Sequence, residues 1–220
     1  MRYLLPIGGT FDDRFAGILT SYKHYGIPAG IKTGIPWAGD NCAFSGFDAK
    51  AFMAWLPKLT PYKATCLFIV VPDAPGNAHR TLELWEEWAP QLADWPLAFA
   101  AQDGMENCEW PADSEITDFA YDNLKGDSWE DYIDMRERYY AEETPFRCVF
   151  IGGSDAWKES ESAANVIQEA LAMQKHVHIG RVNWQRRYRH FAHQPGAATF
   201  TCDGTRTRAE GRHRTLYAWA

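Results

Sequence analysis

Short apolar runs alternate along this chain with longer stretches in which apolar residues recur every three or four positions. The runs at 3–7, 27–31, 66–71, 97–101, 148–151, 177–179 and 198–202 predict β-strands, and the stretches 49–59, 78–93, 129–140, 156–173 and 183–193 predict helices. In the 156–173 stretch, Ser154 and Asp155 supply capping chemistry, while Ala163, Ile167, Ala170 and Leu171 form one apolar row that should face a sheet. Strand and helix alternating in this way lead to parallel strands joined by helical crossovers. The expected fold class is therefore α/β, a compact TIM-like (β/α) barrel, incomplete or decorated. The decoration is the segment 106–143, which is acidic, rich in Trp and Tyr and without a clear strand. It reads as a lid or docking surface inserted after the 97–101 run. With no internal repeat, low-complexity tract or Gly/Ser linker, residues 1–220 are expected to form one domain.

Each of several runs is followed at once by a short acidic or polar cluster: Trp37-Ala-Gly-Asp40-Asn41, Val71-Pro-Asp73, Ala101-Gln102-Asp103-Gly104, Ile151-Gly152-Gly153-Ser154 and Thr201-Cys202-Asp203-Gly204-Thr205. In a parallel barrel all strand carboxyl ends meet at one mouth, so these distant residues are candidates for a single pocket. Taken singly, each has a structural alternative. Asp40-Asn41 is a common turn, Asp73 stands where it can cap the helix beginning near Asn77, and Gly-Gly and Asp-Gly pairs are frequent between elements. Taken together they offer carboxylates beside apolar runs, where a charge must be solvated, paired or bound to ligand donors. An amide at Gln102 can donate and accept at the edge of a nucleobase, and Gly153 lets a backbone N–H approach a ligand closely.

Composition narrows the classes. At 46% hydrophobic and 23% charged, the chain can bury one sizeable core, and its 10 Trp, 10 Tyr and 12 Phe serve mostly to fill it. No apolar run reaches 18 residues and no signal-peptide cleavage pattern follows the amino terminus, so a soluble cytoplasmic protein without membrane contact is expected. Five scattered cysteines include no CxxC pair, which argues for reduced thiols rather than a zinc knuckle or redox couple. His176 and His178 alternate as on one strand face, and His190 and His193 fall on a helix, so they do not read as a metal site. Charge is uneven. Residues 181–220 hold eight arginines against Asp203 and Glu210, a net +6 that leaves −13 on the remainder. Arg181, Arg186, Arg187, Arg189 and Arg206, interleaved in part with Trp184 and Tyr188, are candidates for a nucleic-acid contact; ordinary ion pairing with the acidic body is the equal alternative.

The order and context of the clusters, over about 37–206, resemble the tRNA-guanine transglycosylase superfamily, most closely its short phage branch, which installs 7-deazaguanines in DNA. The resemblance implies Asp40 as general acid/base and Phe44, four residues on, as the aromatic that stacks on the base. It implies Asp73 as reader of the purine's amide and amino edge, Gln102 and Gly153 as further base contacts, and Asp203 as nucleophile. Relatives acting on tRNA carry a zinc site of closely spaced cysteines and a histidine. No such group is present in this sequence, so no metal or cofactor is expected, and DNA is the expected polynucleotide, with tRNA as the alternative. If phage-encoded, the protein would work in the host cytoplasm.

The expected function is a pentosyl transfer that replaces guanine in the polynucleotide with a free 7-deazaguanine base through an aspartyl-sugar intermediate. Two alternatives stay open: a hydrolase of the N-glycosidic bond of a nucleoside or nucleotide, and a non-catalytic binder of purines or nucleic acid. The residues do not address oligomeric state.

Overall fold

A computed structural model describes residues 1–6, 15–111 and 145–204. Its strands are β1 (Arg2–Pro6), β2 (Phe15–Ser21), β3 (Trp37–Asp40), β4 (Cys66–Val70), β5 (Leu97–Ala101), β6 (Cys148–Ile151), β7 (His176–Ile179) and β8 (Thr201–Cys202). They pair in chain order, every pairing parallel, and β8 returns to β1 to close an eight-stranded barrel. The TIM-like architecture expected from strand–helix alternation is therefore the architecture present.

Alternation along each strand separates two apolar sets. Leu4, Leu19, Ala38, Phe68, Val70, Ala98, Ala100 and Cys148 fill the barrel interior. The intervening positions, such as Ile69, Phe99, Val149, Val177 and Ile179, join the larger layer between strands and helices. In β7 the inward positions fall to His176 and His178, which meet the Phe68 ring at 6.2 and 5.3 Å between centroids, while Phe150 stacks on His178 at 4.8 Å. Barrel interiors are usually filled by aliphatic layers. Here alanines on β3 and β5 make room for large aromatic neighbours, and two imidazoles share that space.

The helices form where capping and periodicity agree. α1 is Ala29–Lys32. α2 (Ala49–Leu59) starts at Asp48, whose carboxylate accepts the Ala51 N–H at 3.0 Å, and buries Phe52, Trp55, Leu56 and Leu59. α3 (Ala78–Trp88) starts likewise at Asn77 and buries Trp85. The 156–173 stretch is two helices, α4 (Asp155–Lys158) and α5 (Glu161–Ala172). Its interruption lies at Ser160, whose hydroxyl donates to the Trp157 carbonyl at 2.6 Å and accepts the Ala163 N–H at 3.3 Å, ending one helix and starting the next. α6 (Gln185–Ala192) buries Arg187, Tyr188 and Phe191.

Other differences from the pattern have local causes. The apolar run at 27–31 is no strand. Pro28, with φ −53°, precedes α1, and Ile31 is its buried residue. Two strands, β2 and β3, interrupt their apolar pattern with glycine, and at Gly17 the neighbouring backbone requires it. A Cβ at Gly17 would lie 2.5 Å from the Pro36 carbonyl oxygen, and one at Gly39 2.6 Å from Ile69 Cδ1. The 198–202 run begins as a turn at Ala197–Thr199 before β8. The helix expected at 129–140 and all but the first six residues of the acidic 106–143 insert lie outside the described residues. Among the described residues no helix is long and apolar enough to cross a membrane.

Candidate active site at the carboxyl end of the barrel

Because all strands run the same way, their last residues share one rim, which carries Asp40 (β3), Asp73 (β4), Gln102 and Asp103 (β5), Gly153 and Ser154 (β6), Arg181 (β7) and Asp203 (β8). Gln102 is the centre of one half. Buried at 2% exposure, it donates from Nε2 to Asp73 Oδ2 at 2.6 Å, and its Oε1 accepts the N–H groups of Gly153 at 2.6 Å and Gly76 at 2.9 Å. Asn41 grips the other oxygen of Asp73 at 2.7 Å while also donating to the Val71 carbonyl. Three predicted base readers from three strands thus form one continuous hydrogen-bonded edge. A Cβ at Gly152 would meet Gln102 Nε2 at 2.4 Å, so this edge requires that glycine. Beside it, Asp103 accepts from Ser154 N at 2.7 Å and Ser154 Oγ at 2.5 Å, fixing the β6 turn.

The carboxylates are electrostatically unlike surface ones. Burial pushes the Asp40 carboxyl up to about 6; the N–H of Cys42, donating to Oδ1 at 3.0 Å, opposes the rise and the charge of Asp203 adds to it. Asp73 is likewise pushed up to about 6 by burial, against the hydrogen bonds from Asn41 and Gln102. A carboxyl that changes charge near neutrality can give or take a proton at working pH.

Asp203 follows the two-residue β8 and is 9% exposed. Its Oδ1 accepts the Arg181 N–H at 3.0 Å and faces His178 Nε2 at 3.2 Å. His178 Nδ1 in turn lies 2.8 Å from the Thr201 hydroxyl, which also meets His176 Nε2 at 2.7 Å. Burial pushes His176 down to about 4, keeping its ring neutral. Close by, the fully buried Lys158 donates to the Gly180 carbonyl at 2.8 Å and lies 3.5 Å from Asp155; burial first, and the Arg181 charge next, push its ammonium down to about 8.

Arg181 joins the two halves. Its backbone takes the left-handed φ of +58°, which aims the N–H at Asp203, and its guanidinium donates to the Gly153 carbonyl. The same guanidinium sits over the ring of Phe44, 4.1 Å from its centroid. Phe44, 71% exposed, therefore already has a cationic partner on one face of the ring expected to stack on a base.

The other arginines divide. Arg187 is buried, its side chain 7% exposed, and pairs with Asp155 at 2.9 Å and Glu159 at 2.9 Å, so its guanidinium is committed inside the protein rather than offered to a phosphate. Arg186 reaches Glu159 at 2.7 Å from an exposed position, Arg189 is exposed on α6, and Arg206 lies outside the described residues. Among the described residues no group of three or more His, Cys, Asp or Glu side chains is arranged to hold a metal ion. A depression of about 620 Å³ opens at the opposite end of the barrel, lined by Lys63, Cys66, Trp95, Leu97, Phe146 and Arg147. It contains none of the rim carboxylates.

The sequence pattern placed Asn41 and Thr201 in the polar clusters and His178 on a strand face without giving them a part in the site, and did not single out Lys158. The His-Val-His alternation was a visible signal for two inward imidazoles; Thr201 becomes their partner only through the β7–β8 register, which pairs it with His178. No family model matches this chain, and neither a curated protein nor a solved structure matches it.

Proposed function

We propose that the rim holds a purine base and breaks its bond to a sugar, exchanging guanine in a polynucleotide, DNA by preference, for a free 7-deazaguanine. The observation that carries this reading is the Asp73–Gln102–Gly153 edge, a carboxylate, an amide and a backbone N–H joined in one line. These groups hydrogen-bond to one another, as buried polar groups must. An entering guanine takes over those bonds: its adjacent N–H donors match the acceptor oxygens of Asp73, and its carbonyl matches the Gly153 N–H. It also displaces Arg181 from the Phe44 ring, and the released guanidinium is then free to meet a phosphate.

In the first half-reaction a lone pair of the Asp203 carboxylate bonds to the anomeric carbon while the glycosidic electron pair leaves with guanine. Asp40, protonated, gives its proton to the departing base. In the second, a nitrogen of the incoming base attacks the same carbon, expels Asp203 as a carboxylate and loses its proton to Asp40, so configuration at the sugar is retained. The raised Asp40 carboxyl supports both roles, and the influence of the Asp203 charge on Asp40 supports their working on one sugar. A target within a duplex must be flipped out, and Arg189 and the exposed Arg186 supply cations for the flanking phosphates.

The test is incubation of guanine-labelled DNA, and separately tRNA, with and without a 7-deazaguanine base. Guanine release that needs the incoming base and is lost in Asp40→Asn and Asp203→Asn is expected. Release without an incoming base would show a hydrolase, tight purine binding without cleavage would show a binding protein, and release that survives both substitutions would refute the mechanism.

A further inference from the structure

The hydrogen bonds behind Asp203 have a direction that follows from their chemistry. A carboxylate oxygen only accepts, so the contact between His178 Nε2 and Asp203 Oδ1 requires the proton on Nε2. In a neutral ring Nδ1 is then bare and accepts from the Thr201 hydroxyl. That hydroxyl has one proton, already used, so it accepts from His176 Nε2–H. The result is one file, His176 to Thr201 to His178 to Asp203, in which each link has one donor and one acceptor. Every member lies on β7, on β8 or just past it, in register, with Phe68 and Phe150 against the imidazoles. His178 is 0% exposed and water does not compete with this file for it.

The second consequence concerns which oxygen of Asp203 can react. Both hydrogen bonds that Asp203 accepts among the described residues, from His178 Nε2 and from the Arg181 N–H, end on Oδ1. We propose that His178 is a positioning residue that ties down Oδ1 of Asp203 and leaves Oδ2 as the attacking atom, with Thr201 and His176 holding His178 in the tautomer that can do this. The inference rests on the reading of Asp203 as nucleophile.

Atoms and charge balance through both steps. Oδ2 forms the bond to the anomeric carbon and the base leaves with the electron pair and a proton from Asp40; Oδ1 becomes the carbonyl oxygen of the ester and keeps both donors. When the incoming base breaks that ester, negative charge returns to Asp203, and the two N–H groups on Oδ1 stabilise it more strongly than they stabilised the carbonyl. His178 thus orients the first step and assists departure of the carboxylate in the second, without exchanging a proton with substrate.

The chain is tested in the full-length protein by ¹⁵N-detected NMR of the histidine rings and by exchange kinetics on guanine-labelled DNA. Expected are the Nε2–H tautomer for His178, its proton resonance shifted when Asp203→Ala removes the acceptor, and gain of the Nδ1–H form in Thr201→Val. In kinetics, His178→Phe should lower kcat roughly 100-fold with KM changed by less than about threefold. His178→Gln, whose amide N–H reaches the Nε2 position, should restore most of the loss, and Thr201→Val should cost roughly tenfold. An Nδ1–H tautomer in the wild type, or a His178→Phe enzyme with unaltered kcat, overturns the proposal. Its failure is distinguishable from failure of the transglycosylase reading: with no exchange by the wild type on any polynucleotide that reading fails, and the spectra alone still decide whether His178 ties down Oδ1.

Discussion

Replacing Asp40 with asparagine should stabilise the protein, and only above a definite pH. The folded protein holds this carboxyl near 6 against an ordinary 3.8, chiefly because burial disfavours its charge. That displacement corresponds to about 3 kcal/mol at 1.36 kcal/mol per pH unit. The sign follows from proton counting. Between the two values the folded form keeps a proton that the unfolded chain has lost, so this residue's contribution is fully present below about 3.8 and is lost as pH rises through about 6. Asparagine removes the dependence while Oδ1 keeps the Cys42 N–H. Its NH₂ group replaces an oxygen that has no hydrogen bond among the described residues, so part of the gain is spent on desolvating the amide. We expect Asp40→Asn to match the wild type below pH 4 and to exceed it by about 1–3 kcal/mol at pH 8, raising Tm by about 3–10 °C. Urea and thermal unfolding followed by tryptophan fluorescence across pH 4–8 measure it. An advantage of equal size at pH 4 and pH 8, or a variant less stable than the wild type at pH 8, would refute the claim that burial raises this carboxyl. On the proposed chemistry the same variant should lose base exchange, and Asp40 would then be a position where stability is given up for activity.

Gly152→Ala should leave the barrel folded, as judged by circular dichroism, yet reduce affinity for a purine by at least tenfold in calorimetry, since its methyl group would enter the space of Gln102 Nε2 and push that amide off Asp73. Unchanged purine affinity would remove Gln102 from the site. Arg187→Ala should destabilise the protein by about 1–2 kcal/mol in urea unfolding, because it removes the buried guanidinium that Asp155 and Glu159 share and leaves them Lys158 and the exposed Arg186. Arg189→Ala should unfold like the wild type but weaken DNA binding and reduce the slope of log affinity against log salt by about one. The opposite assignment, with Arg187 dispensable for folding, would contradict the pairing described here.

The legible parts of the fold were those in which one side of an element is buried without interruption. Residues Ala49–Leu59 emerged with their bounds intact because Phe52, Trp55, Leu56 and Leu59 form a stripe behind an Asp48 cap. β5 emerged because its apolar run is buried throughout, and β4 and β6 because most of theirs is, from Phe68 to Val70 and at all but Phe150; in β7 only Val177 and Ile179 carried the apolar signal. β2 and β3 were hidden by Gly17, which the Pro36 carbonyl demands, and by Gly39, both of which resemble turn residues to any pattern. The rim acids were legible because a carboxylate directly after a buried strand is costly enough to need a reason. Their partners were not. Asn41 matters because β3 lies beside β4, and Thr201 because β8 lies beside β7 in one particular register. Arg186, Arg187 and Arg189 look alike in sequence, and only the position of α4 separates the buried Arg187 from the exposed pair.

The closing strand β8 is only Thr201–Cys202, stapling Arg2 and Tyr3 on one side to His178 and Ile179 on the other. Asp203 is the next residue and Thr201 is the link that orients His178. Sealing the ring and holding that carboxylate in place therefore fall to the same few residues. On the proposed chemistry, a change that parts this short seam would cost the enzyme its nucleophile's alignment along with the closure of its barrel.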